Sequence, residues 1–359
     1  MIIKWITKYR LVKLLLLSLV FLPLIPIIGH ADNSTTGSGL NFTVKTNLPD
    51  NQIDRHNDYF QLKMTPGQKQ TVTATVYNIT KKPTTVDINV QTASTTINGT
   101  IDYSKALTNW DKSLNYKFNE IVSYPKRITI PAGKSQDVPF AISMPENSYK
   151  GILLGGITFS QVNEEQPESS SRTTSIQNKY AYAVAMILKE SDEQLTPNVN
   201  LNSVKAGQNN GHNVIDVNLQ NDQPLLMSNV KVEAQVYSEK GKKPVYTTVK
   251  SDMQMAPNSQ FKYPVSLQGT PMQPGKYRIE LAVTGTAYKE LKTWHFKKHF
   301  TIKNSEAENF NRSDVDVSAN TNGHLNHIVI VSVILIIILI LVLFILKRKS
   351  VFSRSKKSK

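Results

Sequence analysis

One segment limits what this chain can be more than any other. Residues 328–346 read IVIVSVILIIILILVLFIL, 19 residues without a charge and with Ser332 as the single polar side chain. At about 1.5 Å of rise per residue, a helix of that length covers roughly 28 Å, close to the hydrocarbon core of a bilayer. The sequence KRKSVFSRSKKSK follows at 347–359, with seven basic residues and no acidic one. A basic flank of this kind belongs on the cytoplasmic side. The span holds no Asp, Glu, Lys, Arg or His, which argues against an ion path or a proton relay. At the other end, Lys4, Lys8, Arg10 and Lys13 precede the apolar run Leu14 to Ile28, and Gly29-His30-Ala31 offers small residues for cleavage. Residues 1–31 therefore read as a signal peptide, with cleavage expected after Ala31. The expectation is a single-pass cell-membrane protein with its N-terminal part outside and a short basic tail inside.

This reading accounts for a charge that otherwise misleads. The chain carries 42 basic and 27 acidic residues, a formal +15. Setting aside four basic residues in the leader and seven in the tail leaves 31 against all 27 acids, so the segment between them is only about +4. That gives no electrostatic footprint for a nucleic acid. There is no cysteine. An exported chain without disulfides must hold its domains by core burial alone, and thiol nucleophiles and cysteine metal sites are excluded.

Between leader and span, period-two alternation dominates. Val72, Ala74 and Val76 alternate with Thr71, Thr73, Thr75 and Tyr77; Val86, Ile88 and Val90 with Thr85, Asp87 and Asn89. The same pattern recurs at Val138–Met144, Ile215–Leu219, Val230–Val236 and Tyr277–Val283. Such runs predict strands with one buried face. Many short strands with turn signals predict an all-β fold of two Ig-like antiparallel β-sandwiches in tandem, followed by one transmembrane helix. A turn device recurs at Met64-Thr-Pro66-Gly67, Ile130-Pro131-Ala-Gly133, Ala256-Pro257-Asn258 and Gln273-Pro274-Gly275. There is also a faint internal echo between VTATVYNITKKP at 72–83 and VIDVNLQNDQP at 214–224, which points to the same hairpin logic in both sandwiches.

Residues 40–162 are assigned to the first domain, 163–178 to a mobile Ser/Thr-rich loop, 179–303 to the second domain and 304–327 to a flexible polar stalk. Apolar runs at 151–159 and 180–188 flank the loop. Pairing of these runs as a long-looped hairpin would give strand 179–189 to the first sandwich and move the physical boundary to Thr196–Pro197.

At this point the residues resemble a known family. The ordered set is Tyr59-Phe60-Gln-Leu62-Lys63-Met64-Thr-Pro66-Gly67-Gln68, Ile97-Asn98-Gly99-Thr-Ile101-Asp-Tyr103, Ser113-Leu114-Asn-Tyr116-Lys-Phe118 and Tyr149-Lys-Gly151-Ile152-Leu-Leu-Gly155-Gly156-Ile157. It continues with Leu219-Gln-Asn221, Met255-Ala256-Pro257-Asn258-Ser259, Gln273-Pro274-Gly275-Lys-Tyr277 and Trp294-His-Phe296-Lys297-Lys298-His-Phe300-Thr301-Ile302. Together with the leader, stalk, span and tail, this order is similar to that of the WxL-interacting proteins of Gram-positive bacteria. The resemblance covers roughly residues 40–350. It implies a peptidoglycan-binding Ig-like first domain and a second domain that engages host-surface proteins or WxL-domain partners. The chain is not itself a WxL protein, since none of Trp5, Trp110 and Trp294 has Leu two residues on.

Candidate chemistry is sparse. His295 and His299 have metal-ligand spacing for a helix, but the context is a strand, with Trp294, Phe296, Phe300 and Ile302 on the opposite face and Lys297 between the histidines. A solvated face is the simpler reading. Asp54, His56 and Asp58 read as a surface turn, and His324 and His327 as markers of the membrane interface. No G-x-S-x-G elbow and no H-E-x-x-H occurs. Residues 101–127 interrupt the strand pattern and collect Tyr103, Trp110, Tyr116, Phe118 and Tyr124. Aromatic side chains suit sugar faces and protein partners when exposed. Tyr116 and Phe118 are expected to pack inward, while Trp110 and Tyr103 are the candidate glycan or partner contacts. No catalytic residue, metal or cofactor is assigned. The functional expectation is a membrane-anchored adaptor that engages peptidoglycan and WxL-type or host proteins; the alternatives are a wall-remodelling enzyme and an assembly chaperone that works through exposed strand edges.

Overall fold

The computed structural model describes residues 40–162, 180–317 and 331–338. The leader, the Ser/Thr-rich loop, His324, His327 and the basic tail lie outside them. The first part is built from β1 (Phe42–Asn47), β2 (Phe60–Lys63), β3 (Lys69–Asn78), β4 (Thr84–Thr92), β5 (Ser94–Thr95), β6 (Ile101–Asp102), α1 (Phe118–Ile121), β7 (Val122–Ser123), β8 (Arg127–Ile130), β9 (Ser135–Ser143), β10 (Ile152–Gln161) and β11 (Ala181–Lys189). Its sheet β1-β3-β9-β7 packs on the sheet β2-β11-β10-β4-β8. The alternating residues of both meet in one core around Phe42, Phe60, Val76, Phe140, Ile157 and Phe159. The second part holds β12 (Val199–Asn209), β13 (His212–Asn221), β14 (Met227–Ser238), β15 (Tyr246–Met255), β16 (Ser259–Ser266), β17 (Gly275–Ala287), β18 (Glu290–Ile302) and α2 (Asn304–Ser313). Here β12-β13-β16 faces β15-β14-β17-β18 over a separate core that includes Ile215, Val232, Tyr263 and Leu281.

The two sandwiches repeat one strand plan. In the second, the first strand pairs with the second, the second with the fifth, the third with the fourth and sixth, and the sixth with the seventh. The series β1, β3, β4, β8, β9, β10 and β11 follows the same rule. The first sandwich adds β2 beside β11, β7 beside β9, and the hairpin β5–β6 with α1. The echo in the sequence turns out to be a shared device. Asn78 ends β3, is buried, and donates to the carbonyls of Lys82 at 2.7 Å and Ile130 at 3.0 Å, while its Oδ1 accepts from the Thr80 amide. Asn221 ends β13, is fully buried, and donates to Leu225 O at 2.8 Å and Ala256 O at 2.9 Å, while its Oδ1 accepts from the Gln223 amide. In both cases the asparagine bridges its own turn to the residue just before the proline of a Pro turn, Pro131 or Pro257. The turn residues Gly67, Gly133 and Asn258 sit at φ of 69°, 63° and 48°, the left-handed conformation that Gly and Asn tolerate.

Strand β11 pairs antiparallel with β10, from Ile152↔Lys189 to Ser160↔Ala181. The apolar runs flanking the loop thus form a hairpin, and β11 belongs to the first sandwich. Two expectations change. First, the sandwiches are not wholly antiparallel: β2 pairs parallel with β11 in the register Met186↔Phe60 to Lys189↔Lys63. Parallel neighbours require a long intervening chain, which the strands from β3 to β10 supply here. Second, the start of the stalk is not a flexible coil. It forms α2, which buries Ala307 and packs Phe310 against the second core. Asn311 donates to Met272 O and accepts from the Met272 amide, and the Gln208 side chain donates to Phe310 O. Among the described residues no helix is long and apolar enough to cross a membrane, and most of the expected span lies outside them. Of the expected span, residues 331–338 are described; they are helical and exposed throughout.

Candidate functional site

The segment between β4 and β8 carries the aromatic residues singled out above, and its position follows from two adjacent glycines. Gly155 and Gly156 lie in β10 and face opposite sides of the sheet. A Cβ on Gly155 would meet the ring of Phe118, which is buried in the first core. A Cβ on Gly156 would meet the ring of Tyr103 on the outer side. Each missing side chain makes room for an aromatic ring. Tyr103 is therefore half-buried, packed with Ala93, Leu154, Ile101, Ile187, Leu226 and Ala256 in a small cluster that draws on both sandwiches. Burial, with the neighbouring Tyr59 adding to it, pushes its phenol up to about 12. Tyr103 is thus a packing residue of the junction rather than an open platform. Tyr116 and Phe118 pack inward as expected, Tyr116 tilted against Tyr149 at 6.1 Å between centroids.

Hydrogen bonds complete the junction. Thr95 Oγ1 lies 2.8 Å from Ser259 Oγ and accepts from the Ala256 amide at 2.9 Å. The Gln254 amide donates to Gly99 O at 2.7 Å, and the Ile152 amide to Pro224 O at 2.8 Å. Gln220 Nε2 donates to both oxygens of Asp111, at 2.8 and 3.0 Å, and Asn258 Nδ2 donates to Ser113 O at 3.0 Å. The Asp111 side chain is buried. A buried carboxylate demands donors; Ser113 of the same segment supplies its amide and hydroxyl, and Gln220 of the second sandwich supplies the rest. The inserted segment is in large part a clasp between the sandwiches.

Trp110 stands next to Asp111, is half-exposed, and has Lys117 Nζ 5.8 Å from its ring centroid. Lys117 also pairs with Glu120 at 2.8 Å. Beyond it, Tyr116, Lys117, Glu120, Glu146 and Asn147 help to line an open groove of about 280 Å³. The groove and its margin bring together the rings of Tyr116 and Trp110, the Lys117 ammonium and the carboxylates of Glu120 and Glu146.

The other candidates resolve as follows. His295 and His299 lie on the exposed face of β18, and His299 Nδ1 is 3.3 Å from Glu239 Oε1. Lys297 stands between them, 3.3 Å from Glu280. His56 folds back on Asp54 at 3.0 Å in an exposed turn, and the Asp58 carbonyl accepts from Thr46. Sequence spacing missed one cluster: His212, Asp314 and Asp316 bring a ligand-capable atom each within 4.8 Å of one another. The buried Asp314 already accepts from the amides of Asn213, Asp316 and Val317. Burial acts to raise its pKa, but the amide bonds from Val317, Asn213 and Asp316, with His212 nearby, outweigh it and hold the carboxyl below its ordinary value. The cluster is a clasp that ties the segment after α2 to the second sandwich.

Comparison with known proteins bears on the assignment of the two halves. Residues 42–161 match the family model of the WxL Interacting Protein peptidoglycan binding domain, and residues 171–312 match that of its host binding domain. The chain belongs to the WxL-interacting protein family. Both family models describe binding domains, so this WxL-interacting protein is a surface binding protein at the level of its family. The structure adds a detail to the family division: β11 lies inside the stretch matched by the host binding domain, yet it is hydrogen-bonded into the first sandwich. No curated protein matches the chain. Among solved structures, similar chains include the class 5 fimbriae chaperone CfaA, with 14% identity over 72% of this chain and 99% of that chain and a TM-score of 0.29. The YadV chaperone matches at 9% identity over 71% and 100%, TM-score 0.30, and the E. coli chaperone DraB at 12% over 73% and 98%, TM-score 0.27. Likeness at that level carries no functional argument.

Proposed function

We propose that this WxL-interacting protein is a non-enzymatic, membrane-tethered adaptor. Its first sandwich takes up peptidoglycan, its second engages a WxL-domain protein or a host-surface protein, and residues 328–346 hold both at the membrane. The observation that carries this reading is the junction: two domains of binding families are hydrogen-bonded into one body through Thr95, Asp111, Ser113, Gln220, Asn258 and Ser259. Such a body passes load between two ligands without a flexible linker. The repeated seven-strand plan supports the Ig-like reading of both sandwiches. Trp110 and the groove beside Lys117 are the proposed contact for the wall polymer, because stacking and charged hydrogen bonds suit its sugars and peptide stems. The apolar, charge-free run at 328–346 and the basic tail support the membrane tether.

A pull-down tests the reading. The full chain is incubated with purified peptidoglycan and, separately, with a WxL-domain protein. Stable retention on both, with no release of soluble wall fragments, is expected. Release of wall fragments without stable retention would favour the wall-remodelling alternative and overturn the adaptor.

A further inference from the structure

The repeat shows an edge that is covered in one sandwich and bare in the other. In the first, the seventh strand of the plan is β11, and β2 lies along it as a parallel neighbour. Phe60 and Leu62 of β2 are 0% exposed, and the inward residues Val184, Met186 and Leu188 of β11 are 4%, 0% and 0% exposed. In the second, the seventh strand is β18, and among the described residues no strand pairs with its outer side. Its inward aromatics Trp294, Phe296 and Phe300 remain only partly buried at the margin of the core. The inward lysines span this margin: Lys292 Nζ donates to Pro197 O, and Lys298 Nζ to Leu201 O and Asn202 O at the start of β12.

Nothing in the backbone blunts this edge. The β17–β18 ladder runs without interruption from Gly275↔Ile302 to Ala287↔Glu290. The opposite edge strand, β15, is broken by two register shifts and carries Asp252 at φ 58°. Of the usual protections of an exposed edge, β18 lacks a bulge and shortness and carries only its lysines, Lys292 and Lys298 pointing inward. Its outward face holds no acidic residue from Leu291 to Ile302 and carries Lys297 between His295 and His299, while Lys292 and Lys298 lie on the inward face.

We propose that the outer edge of β18 is a strand-addition site: an extended segment of a protein partner, apolar at alternate residues on one face and acidic on the other, pairs with β18 as β2 pairs with β11. The apolar residues cover Trp294, Phe296 and Phe300, and the acidic ones meet Lys297 on the outward face. Main-chain hydrogen bonds supply affinity, and the aromatic margin supplies register. The inference rests on the reading of the second sandwich as the protein-binding half, and it names the surface that half uses.

The test uses two peptides with the full chain. One copies residues 57–66 of this protein, which carry β2. The other is the same peptide with Gln61→Glu and Lys63→Glu. Amide exchange at residues 290–302 is expected to slow at least tenfold at saturation with either peptide, the acidic one binding several-fold more tightly. Methylating alternate amide nitrogens of the acidic peptide, with its side chains kept, is expected to abolish protection. Protection confined to residues 181–189, unchanged exchange at 290–302, or equal protection by the methylated peptide would overturn the edge; equal affinity of the two peptides would overturn the acidic assignment. A WxL-domain protein that is retained while residues 290–302 stay unprotected overturns the edge and leaves the adaptor reading standing. Protection by peptide without retention of the WxL-domain protein supports the edge and removes that partner.

Discussion

Replacing Asn221 with Ala strips the second sandwich of a buried device. The side chain is 0% exposed and joins three backbone groups: the carbonyls of Leu225 and Ala256 and the amide of Gln223. Alanine leaves all three without this partner in a buried turn. Each buried polar group left unsatisfied costs about 1–3 kcal/mol, and water entering the vacated space recovers part of that, so the expected loss is roughly 3–5 kcal/mol. That is a large share of the roughly 5–15 kcal/mol that holds an ordinary domain together. Converted through the entropy of unfolding, it lowers the melting temperature by about 10 °C or more. Asn78→Ala is expected to act in the same way on the first sandwich, because Asn78 joins Lys82, Ile130 and Thr80 through the same pattern. Asn221→Asp goes further at neutral pH, since a buried carboxylate faces two carbonyl oxygens. Differential scanning calorimetry of the full chain reads all three. A loss under about 1 kcal/mol for Asn221→Ala would refute the energetic argument. A large loss at Asn221 beside a negligible one at Asn78 would refute the equivalence of the two devices.

Further outcomes follow from the junction and from α2. Trp110→Ala is expected to lower retention on peptidoglycan with the melting temperature unchanged, because its half-exposed ring lies outside the hydrophobic cores. Tyr103→Ala is expected to destabilise the junction by about 2–4 kcal/mol, since the ring fills the space over Gly156; a melting temperature equal to wild type would contradict that. Asp111→Ala is expected to raise the protease sensitivity of residues 104–117, because the bond to Gln220 is lost. The carboxyl of Asp314 titrates below its ordinary 3.8 in the folded chain. A depressed acid stabilises above its unfolded pKa and loses that contribution as pH falls through the folded one. The amides of 304–317 are therefore expected to keep their protection above pH 3.8 and to exchange faster in stronger acid, and Asp314→Asn is expected to remove the pH dependence.

Much of this fold is legible in the sequence because its signals are local. Alternation at Val72–Val76, Ile215–Leu219 and Tyr277–Val283 predicts strands with the inward residues seen in the two cores. The apolar runs on either side of the Ser/Thr-rich stretch pair as their composition suggests. What stayed hidden depends on neighbours distant in sequence. The role of Tyr103 is set by Gly156, far along the chain in β10, and the burial of Asp111 by Gln220 in the other sandwich. Strand β2 is four residues long, too short for a periodic signal, and its parallel partner lies beyond eight intervening strands. Helix α2 contributes little more than Ala307 and Phe310 to the core, so its apolar stripe is too thin to stand out in NSEAENFNRS. Trp110 remains the candidate contact that sequence alone found, and the groove beside Lys117 is its structural setting.

The central claim is that one chain holds a wall polymer and a protein at the same time. Ternary retention measures it directly. A WxL-domain protein whose own wall affinity has been removed by mutation is mixed with purified peptidoglycan, with and without the full chain. The account predicts that this protein sediments with the wall only when the chain is present, and that the amount rises with the chain until both sites are filled. A WxL-domain protein that stays in the supernatant while the chain sediments, or that displaces the chain from the wall, would contradict it.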